Sequence, residues 1–442
     1  MANSPRELAY KALLSAEKDQ STGIDEILSN ILQQGELTQQ EKGWIMELVY
    51  GVTRMKLQLD AWIQIAFKGR YRKAQHALKC LLRIGVFQLK YMQTSEHAAI
   101  NETVALSRRV KQSQASGLIN AVLRKIQSLE LEDVLTHHDD DLESLSIKTS
   151  HPQWLLEKWV SRYTPEDVFA LCSHNNRAPK TWIRRNVQIV GAEAFEAFLD
   201  GLEIKHEKSQ VLDVFYEIES ASTLFSTKEF HEGWFSFQDL AAGLVASIVE
   251  PEPGDTIVDA CSAPGGKMAF ISELSGGQAK IIACDASHSR LSKVRENILR
   301  LGLKQIEVLE LDAAVAPLPV SNKILLDVPC SGTGVLNRRP DARWKRQASD
   351  ITSLIGIQAN ILTNSWKYLA PGGLLVYATC TLEPDENWEL IDSVLAHLDQ
   401  ASVEAIEHEN LKPYIDERGA LSTLPWRHDM DGMFAVKIRK AL

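Results

Sequence analysis

Apolar positions near the start of the chain recur every three or four residues, the spacing of one face of an α-helix. Ser4-Pro5-Arg6-Glu7 and Thr38-Gln39-Gln40-Glu41 each place a glutamate three positions after an N-cap hydroxyl, which predicts two helix starts. A further helical face is predicted from the spacing of Leu78, Leu81, Leu82 and Val86. Strand patterns are absent here. We therefore predict an all-α domain over residues 1–140, ending in the acid-rich, aperiodic segment Leu131 to Ser144.

The pattern changes twice further along the chain. Between residues 141 and 230, "KTWIRRNV" and "VLDVFYEIE" read as strands and predict a small α/β subdomain. From residue 231 to 442, short apolar runs alternate with helical stretches: "TIVDAC", "KIIACD", "IEVLELD", "NKILLDVPC" and "GGLLVYATC". This alternation predicts a mostly parallel, doubly wound α/β sheet. Ligands of such sheets bind at the carboxyl ends of the strands, so those ends are the candidate site.

Composition restricts the class of protein. The longest apolar stretches fall well short of the roughly 20 residues that span a bilayer, so no membrane partner is expected. The N-terminal segment mixes acidic residues with apolar ones and has no apolar core, which argues against a signal peptide and for the cytoplasm. Six cysteines without a CxxC pair indicate neither a disulfide framework nor a zinc module, and no metal is expected.

The formal net charge of −10 argues against a nucleic-acid partner unless the basic residues are grouped. They form three groups: Lys68, Arg70, Arg72, Lys73, Lys79, Arg83 and Lys90; Arg177, Lys180, Arg184 and Arg185; and Arg338, Arg339, Arg343, Lys345 and Arg346. Each group alone is equally consistent with a solvated helix face. Together they favour an anionic polymer as the partner.

The first strand end suggests a cofactor loop. It consists of Asp259, Ala260, Cys261, Ser262, Ala263, Pro264, Gly265, Gly266 and Lys267, followed by a predicted helix. The paired glycines allow a ligand to approach the backbone, although a bare glycine turn is the alternative, and the spacing fits neither a P-loop nor G-x-G-x-x-G. Asp285 ends the next strand, where an acid suits ribose hydroxyls, and Asp312 follows, within reach of an adenine. Each acid could instead be a helix N-cap. In this order they fit S-adenosylmethionine best.

The last two strand ends carry Asp327, Cys330 and Cys380, which adjacent parallel strands would bring to one crevice. Two thiols and an acid suit methylation at C5 of a pyrimidine. A thiolate that adds to C6 makes C5 nucleophilic, and an acid near N3 and O2 stabilises the developing charge. A base must then remove the C5 proton. We regard Cys261 and Cys284 as small buried residues, and a metal site at Cys261, Cys330 and Cys380 is disfavoured because no histidine joins it.

"CSAPGGK", "LLDVPCSGTGVLNRRPD" and "ATCTLEPDEN" resemble the motifs of the S-adenosylmethionine-dependent RNA cytosine-C5 methyltransferases. The helical start, with "ELVYGVTR", "LLRIGVFQL" and "GLINAVLRKI", resembles the NusB-like RNA-binding domain. The resemblance covers nearly the whole chain. It implies a Rossmann-like methyltransferase domain (231–442) after a small α/β RNA-binding subdomain (141–230) and an all-α NusB-like domain (1–140). It also implies methylation of one cytosine of 16S rRNA and not of DNA. A monomer is expected.

The resemblance also implies roles for matching residues. Cys380 would attack C6, Cys330 would assist proton removal and release, and Asp327 would contact the cytosine. The loop Cys261 to Lys267, with Asp285, Asp312 and Asp327, would line the cofactor. Val328 and Ser262 stand where the family often has alanine, and both changes leave the chemistry intact.

Three points stay open at the level of sequence. Arg338, Arg339 and Arg343 could meet phosphates, and Trp344 could either stack on a base or be buried against the methyltransferase core. A non-catalytic RNA-binding assembly factor and a DNA cytosine methyltransferase remain as alternatives. The former would not bind S-adenosylmethionine, and the latter would not need the second thiol.

Overall fold

A computed structural model of the chain describes residues 4–19, 21–33, 37–137 and 140–442. Two compact units make up the fold. The helical unit comprises Met1–Ala178 and Leu336–Gln347, and the sheet unit comprises Pro179–Val335 and Ala348–Leu442. The chain therefore leaves the sheet unit after Val335 and returns to it at Ala348. The domain limits at residues 140 and 230 stay a prediction, and the compact units divide the chain at residue 178.

The helical unit consists of α-helices joined by short turns. Its helices are α1 (Pro5–Lys18), α2 (Ile24–Leu32), α3 (Gln39–Arg54), α4 (Lys56–Ala66), α5 (His76–Lys90), α6 (Glu96–Arg109), α7 (Ser116–Gln127), α8 (Leu131–Leu135), α9 (Asp141–Thr149), α10 (Gln153–Val160), α11 (Pro165–Asn175) and, after the return from the sheet unit, α17 (Ala342–Lys345). The predicted all-α architecture of the first part is confirmed.

The predicted helix starts carry the expected caps. The Ser4 N–H donates to Glu7 Oε2 at 2.7 Å, and the Thr38 N–H donates to Glu41 Oε2 at 2.9 Å, so both capping boxes form. The acid-rich segment at the predicted boundary also forms helices, α8 and α9. The Asp140 carboxylate accepts from the Glu143 N–H at 2.7 Å and caps α9. Local capping thus makes helices where no apolar periodicity is visible.

A buried ion cluster lies within the helical unit. Arg83 donates from Nε and Nη2 to the two oxygens of Asp60, both at 2.7 Å, and from Nη1 to Glu17 Oε1 at 2.6 Å. Tyr71 donates to Asp60 at 2.6 Å, and Lys56 pairs with Glu17 at 2.8 Å. Burial would raise the pKa of Glu17, but the Arg83 and Lys56 charges outweigh burial and hold it at about 2. The cluster is a closed set of paired charges.

The segment Leu336–Gln347 is held by its own side chains. Arg343 is 1% exposed, and it donates to the carbonyls of Ser150 and Asn175 at 3.1 and 3.0 Å and to Asn176 Oδ1 at 2.8 Å. Trp344 is half-buried, and its indole N–H donates to the Thr53 carbonyl at 2.6 Å. The expectation of a phosphate contact from Arg343 is wrong, because its guanidinium is buried and donates its hydrogen bonds within the protein. Trp344 forms its hydrogen bond within the helical unit. Neither alternative for it, stacking on a base or burial against the methyltransferase core, predicted this arrangement.

The sheet unit contains a small antiparallel sheet in the order β2-β3-β1-β4. Its strands are β1 (Thr181–Arg185), β2 (His206–Lys208), β3 (Phe215–Ile218) and β4 (Phe235–Phe237). Thr181 pairs with Ile218, and Ile183 pairs with Phe237. Helix α12 (Ala192–Gly201) contributes Phe195 to the small core of this sheet. The predicted strands β1 and β3 are present, whereas β2 and β4 are too short to show a pattern.

The large sheet has the order β10-β12-β9-β8-β5-β6-β7, with β11 paired to β12. Its strands are β5 (Thr256–Asp259), β6 (Lys280–Asp285), β7 (Ile306–Glu310), β8 (Ser321–Asp327), β9 (Leu369–Thr379), β10 (Ala401–Glu404), β11 (Leu421–Ser422) and β12 (Phe434–Lys440). Strands β7, β6, β5, β8 and β9 run parallel. Strand β12 is antiparallel to β9, and β10 is antiparallel to β12 and so runs in the direction of the other five. The five predicted strands therefore form a parallel sheet, as expected.

Helices cover the large sheet. They are α14 (Leu240–Ser247), α15 (Gly266–Leu274), α16 (His288–Leu301), α18 (Ala348–Trp366) and α19 (Trp388–Leu395). Helix α13 (Lys228–His231) packs against β4 of the small sheet, and the short helix α20 (Pro425–His428) precedes β12. Ile257 faces one hydrophobic core and the next residue, Val258, faces the other. Burial on both faces explains why the strands read as unbroken apolar runs. In the described part of the chain, no helix combines the length and apolar character needed to cross a membrane.

Candidate active site

The carboxyl edge of the large sheet collects most of the predicted site residues. Asp259, Asp285 and Asp327 are the last residues of β5, β6 and β8, and Cys380 directly follows β9. Strand β8 lies between β5 and β9, so the loop after β8, which carries Cys330, starts between the cofactor loop and Cys380. Parallel strands thus place these groups along one edge, as the sequence predicted.

The two thiols lie in contact. Cys330 Sγ is 3.2 Å from Cys380 Sγ, and the Cys380 N–H donates to Cys330 Sγ at 3.3 Å. This separation is longer than the roughly 2.05 Å of a disulfide, so the sulfurs are adjacent thiols. The hydrogen bond with Cys380 is the main cause that raises the pKa of Cys330 well above its usual value, and burial adds to it. Cys330 is therefore held as a thiol that can donate to the sulfur of Cys380.

A buried hydrogen-bond network joins the two cysteine loops, and the sequence interpretation missed it. The Glu386 carboxylate accepts from the Ser331 N–H at 2.8 Å, from the Ser331 hydroxyl, and from Gln358 Nε2 at 2.9 Å. Ser331 Oγ is 2.7 Å from Thr381 Oγ1, the residue after Cys380. Glu386 therefore fixes the loop after β8 against the loop after β9. The acid-rich run "LEPDEN" just after Cys380 was the available signal.

Lys267 and Asp327 form an ion pair between the cofactor loop and the β8 end. Lys267 Nζ lies 2.6 Å from Asp327 Oδ2. Burial would lower the pKa of Lys267, but Asp327 and the nearby Cys380 sulfur raise it above its usual value. A permanent ammonium near Cys380 stabilises its thiolate form. The sequence named both residues but did not foresee that they pair.

The glycine loop has the conformation that close backbone approach requires. Gly265 has φ +98° and precedes helix α15, which begins at Gly266. A Cβ at Gly265 would meet the Met268 side chain at 3.3 Å and would be strained at this φ. The Ser262 hydroxyl is buried beside the Asp259 carboxyl. The helix start and the glycine backbone fit the polar end of an amino-acid-bearing cofactor.

The remaining predicted residues occupy different surroundings. Asp285 is 4% exposed, and its carboxylate accepts from the Ser287 N–H at 3.0 Å and from the Ala263 N–H at 3.3 Å. Asp312 is exposed after β7, and its Oδ1 accepts from the Ala314 N–H at 2.9 Å. Burial, and after it the charges of neighbouring acids, raise the pKa of Cys261. Asp285 therefore holds the cofactor loop through the Ala263 N–H. Asp312 follows β7, the strand next to β6 at the edge of the sheet.

Several predicted basic contacts are unavailable. Arg83 and Arg343 are buried in the helical unit, and Arg184 is buried in the sheet unit, where its Nη2 pairs with Glu273 Oε1 at 2.7 Å. The exposed members are Lys68, Arg70, Arg72, Lys73, Arg177 and Arg339. Each group of basic residues in the sequence thus contains both exposed side chains and side chains that are at least partly buried. Within the described ranges, no group of three or more His, Cys, Asp or Glu residues could hold a metal ion.

Family models match three parts of the chain. The family described as 16S rRNA methyltransferase RsmB/F matches residues 246–439. The NusB family matches residues 3–128, and the ferredoxin-like domain of RsmF/B-like methyltransferases matches residues 151–221. The three matches follow the predicted order of an all-α part, a small α/β part and a methyltransferase part.

Curated relatives are similar over most of the chain. Ribosomal RNA small subunit methyltransferase B of Pseudomonas putida is 36% identical over 392 residues, which cover 88% of this chain and 87% of the relative. The protein named probable ribosomal RNA small subunit methyltransferase B in Bacillus subtilis is 32% identical over 448 residues, covering 99% of each chain. Such identity over such length indicates common descent of all parts of the chain.

Solved structures share the fold. The crystal structure of PH0851 superposes with a TM-score of 0.84 at 21% identity and covers 100% of both chains. The crystal structure of NSun6 from Pyrococcus horikoshii with SFG has a TM-score of 0.59 at 23% identity, covering 66% of this chain and 98% of that one. At these identities the likeness concerns the fold alone.

Proposed function

The chain belongs to the 16S rRNA methyltransferase RsmB/F family and is an S-adenosylmethionine-dependent rRNA methyltransferase, and from that premise we propose its target atom and its catalytic residues. It methylates C5 of one cytosine of 16S rRNA through a covalent bond between Cys380 and C6 of the base. The observation that carries this proposal is the 3.2 Å separation of Cys330 Sγ and Cys380 Sγ beside the Lys267–Asp327 pair.

Cys380 is the proposed nucleophile. Its sulfur lies against the Cys330 thiol and near the Lys267 ammonium, and both favour the thiolate form. The thiolate adds to C6, and the electron pair of the C5–C6 double bond moves toward C5 and the N3–O2 side of the ring. Asp327, at the end of β8, is the proposed contact for that side of the cytosine. Addition therefore makes C5 nucleophilic.

Cys330 is the proposed base for the second half of the reaction. Its contact with Cys380 is the main cause of its raised pKa, and this cause disappears once the Cys380 sulfur is bonded to C6. Cys330 then releases its own proton to solvent, and the resulting thiolate takes the C5 proton. The C5–H electron pair forms the C5–C6 double bond, the C6–S bond breaks, and Cys380 leaves as a thiolate. In the balance, one proton leaves to solvent for each methyl group transferred, and Cys330 ends as a thiol again.

The proposed cofactor residues are the loop Cys261, Ser262, Ala263, Pro264, Gly265, Gly266 and Lys267, together with Asp285, Asp312 and Asp327. The positive φ of Gly265 and the start of α15 support this placement. When bound, S-adenosylmethionine supplies the methyl group. The loop backbone binds its amino-acid end, and Asp285 braces the loop through the Ala263 N–H.

The rRNA must present the target cytosine outside a base-paired stack, because C5 and C6 are otherwise out of reach of a thiol. The exposed basic residues Lys68, Arg70, Arg72 and Lys73 of the helical unit are the proposed phosphate contacts. They lie next to one another in sequence, so they offer several contacts to one backbone segment. This is the expected source of salt-dependent affinity.

The test is methyl transfer from labelled S-adenosylmethionine to 16S rRNA, followed by bisulfite mapping. We expect one cytosine to become protected with the wild-type protein. Cys380→Ser should lower the rate by about 10³-fold or more, as removal of a nucleophile does. Cys80→Ser, a buried thiol of the helical unit, is the matched control and should keep the mapped position. Label on another base, transfer to DNA of the same sequence, or turnover by Cys380→Ser would overturn the proposal.

A further inference from the structure

The two adjacent thiols have a chemistry that methyl transfer does not use. Three of the six cysteines are buried, and three are partly exposed: Cys261, Cys330 and Cys380. A small oxidant can reach the exposed three from solvent. Cys330 Sγ and Cys380 Sγ are the two of these sulfurs that lie in contact, at 3.2 Å. An accessible thiol beside a second thiol is the usual setting for reversible oxidation.

A bond between the two sulfurs requires little movement. An S–S bond is about 2.05 Å long, so the sulfurs, now 3.2 Å apart, have to approach by roughly 1.2 Å. Their loops start from neighbouring strands, because Asp327 at the end of β8 pairs with Ala378 of β9. Neighbouring strands lie about 4.8 Å apart, within the roughly 4.4 to 6.8 Å that separates the Cα atoms of disulfides. The spacing of the two loops therefore suits a cross-link.

Hydrogen bonds already hold the two loops against each other. The Gly334 N–H, from the loop after β8, donates to the Cys380 carbonyl at 3.0 Å. The Glu386 carboxylate, from the segment after β9, accepts from the N–H of Ser331 at 2.8 Å. A bond between the sulfurs would thus join segments whose relative position is already fixed, so we expect the oxidised protein to keep its fold.

The surroundings give the two sulfurs different reactivity. The Lys267 ammonium, paired with Asp327 at 2.6 Å, lies near Cys380 and favours its thiolate form. The hydrogen bond with Cys380, and after it burial, raise the pKa of Cys330 well above its usual value. Because the thiolate is the form that attacks an oxidant, Cys380 reacts first and Cys330 supplies the second sulfur.

We propose that Cys330 and Cys380 form a site of reversible oxidation, at which a peroxide converts the two thiols into an intramolecular disulfide and stops methyl transfer. The formation of the disulfide rests on the contact between the sulfurs and on the ammonium beside Cys380. The effect on methyl transfer rests in addition on the proposed function.

The two electrons that reduce the peroxide come from the two sulfurs. The Cys380 thiolate attacks one oxygen of hydrogen peroxide, the O–O bond breaks, and hydroxide leaves a sulfenic acid behind. The Cys330 sulfur then attacks the Cys380 sulfur, the S–O bond breaks, and the departing hydroxide takes the Cys330 proton and becomes water. In sum, one thiolate, one thiol and one hydrogen peroxide give one disulfide, one water and one hydroxide.

Peptide mapping by mass spectrometry without reduction tests the inference. The purified, RNA-free protein is treated with hydrogen peroxide, and the remaining thiols are blocked with N-ethylmaleimide. We expect the peptides of Cys330 and Cys380 to be cross-linked, while Cys261 stays a thiol because burial, and after it the charges of neighbouring acids, raise its pKa. Methyl transfer to 16S rRNA should fall about tenfold or more as the cross-link forms, and should return with dithiothreitol.

Three variants separate the contributions of the sulfurs. In Cys380→Ser, Cys330 should stay a thiol at the same peroxide concentration. In the RNA-free fraction of Cys330→Ser, Cys380 has no second sulfur and should advance to sulfinic acid, which dithiothreitol does not reduce. Cys80→Ser, which removes a buried thiol of the helical unit, is the matched control and should form the cross-link as the wild type does.

If the wild-type protein forms no cross-link under peroxide, or cross-links Cys380 to a different cysteine, the inference is overturned and the roles proposed for the thiols in methylation are unaffected. Activity that does not return after reduction would likewise overturn it, because the oxidation would not be reversible. A complete cross-link with undiminished methyl transfer would instead contradict the proposed function, since a sulfur within a disulfide cannot attack the base.

Discussion

The helical unit and the sheet unit each bury a cluster of charged side chains, and the two clusters differ in completeness. In the helical unit, Arg83 places three nitrogens on oxygens of Asp60 and Glu17 at 2.6 to 2.7 Å. At the edge of the large sheet, Asp259 is 1% exposed, and the nearby Lys267 ammonium pairs with Asp327 instead. The first cluster is neutralised by its own cations, whereas the second has more carboxyl groups than cations.

The same distinction applies to single arginines. Arg343 and Arg184 are both buried, and each guanidinium donates within its own unit, that of Arg343 to carbonyls and Asn176 and that of Arg184 to Glu273. Both were grouped with candidate RNA contacts on sequence alone. Pairing, rather than charge or position in a basic run, therefore separates structural groups from those available to a partner. Five predictions test this distinction.

The largest effect is expected when the complete cluster loses its cation. Arg83→Met leaves Asp60 and Glu17 buried without Arg83, and should lower the free energy of unfolding by about 3–5 kcal/mol. Urea denaturation measures this. Arg72→Met, an exposed change nearby, should cost no more than about 0.5 kcal/mol. Equal costs for the two variants would mean that the Arg83 cluster does not stabilise the fold.

Removing the ionisable group from the second cluster, at Asp259, should instead stabilise the fold. A carboxyl with a folded-state pKa of about 7 stabilises the fold while protonated, and that contribution is lost as pH rises from about 4 to 7. In the absence of cofactor, Asp259→Asn should therefore be about 2–4 kcal/mol more stable than wild type at pH 8, with little difference at pH 4. A pH-independent difference in unfolding free energy would contradict this account.

Glu17 provides the matched pH test in the helical unit. Its pKa lies at about 2 although burial opposes this, because Arg83 and Lys56 outweigh burial. A lowered pKa stabilises the fold above about pH 4.5, and the contribution is lost as pH falls toward 2. Glu17→Gln should thus reduce stability at pH 7 by about 2–3 kcal/mol and much less at pH 2, measured by thermal unfolding. A larger loss of stability at pH 2 than at pH 7 would show that Glu17 is not paired as described.

A smaller effect is expected from the network beneath the thiols. Glu386→Gln keeps the side-chain volume but turns an amide N–H₂ toward the donors of Ser331 and Gln358. The loops should loosen, and kcat should fall about tenfold with little change in KM for rRNA, because positioning rather than binding is affected. Glu389→Gln, an exposed change in the same segment, is the control. A change confined to KM would argue against a positioning role.

The smallest effects per residue belong to the exposed charges of the helical unit. Replacing Arg70, Arg72 and Lys73 by glutamine should weaken rRNA binding a few-fold per residue. The salt dependence should flatten by about 0.7 to 0.9 in log–log slope for each phosphate that the variant no longer binds. Lys205→Gln, equally exposed in the small sheet, should leave the slope unchanged. An unaltered slope in the triple variant would remove these residues from the RNA interface.

Much of the fold could be predicted because its determinants are local. Ser4 and Thr38 reach donors three residues away, and the apolar runs of β5 to β9 record burial on both faces of a parallel sheet. Helices α8 and α9 were not predicted, because caps rather than apolar periodicity specify them. The antiparallel strand β12 was not predicted, because its neighbours in the sheet, β9 and β10, lie far from it in sequence.

The candidate site divides in the same way. That Cys330 and Cys380 meet could be predicted, since both follow parallel strands that are neighbours in the sheet. The Lys267–Asp327 pair and the Glu386 network could not, because each joins residues 28 to 60 positions apart through side-chain conformations that no local pattern records. The burial of Arg343 depends on carbonyls of residues 150 and 175, and a basic run gives no sign of it.

The central claim is that two adjacent thiols have different tasks, one forming the bond to the base and the other breaking it. Incubation of Cys330→Ser with 16S rRNA and S-adenosylmethionine, followed by denaturing electrophoresis, tests this directly. The account predicts a protein–RNA band that resists denaturation, that is absent from wild type at completion, and that disappears in the Cys330→Ser, Cys380→Ser double variant. If Cys330→Ser turns over at the wild-type rate and no such band forms, the division of roles between the thiols is contradicted.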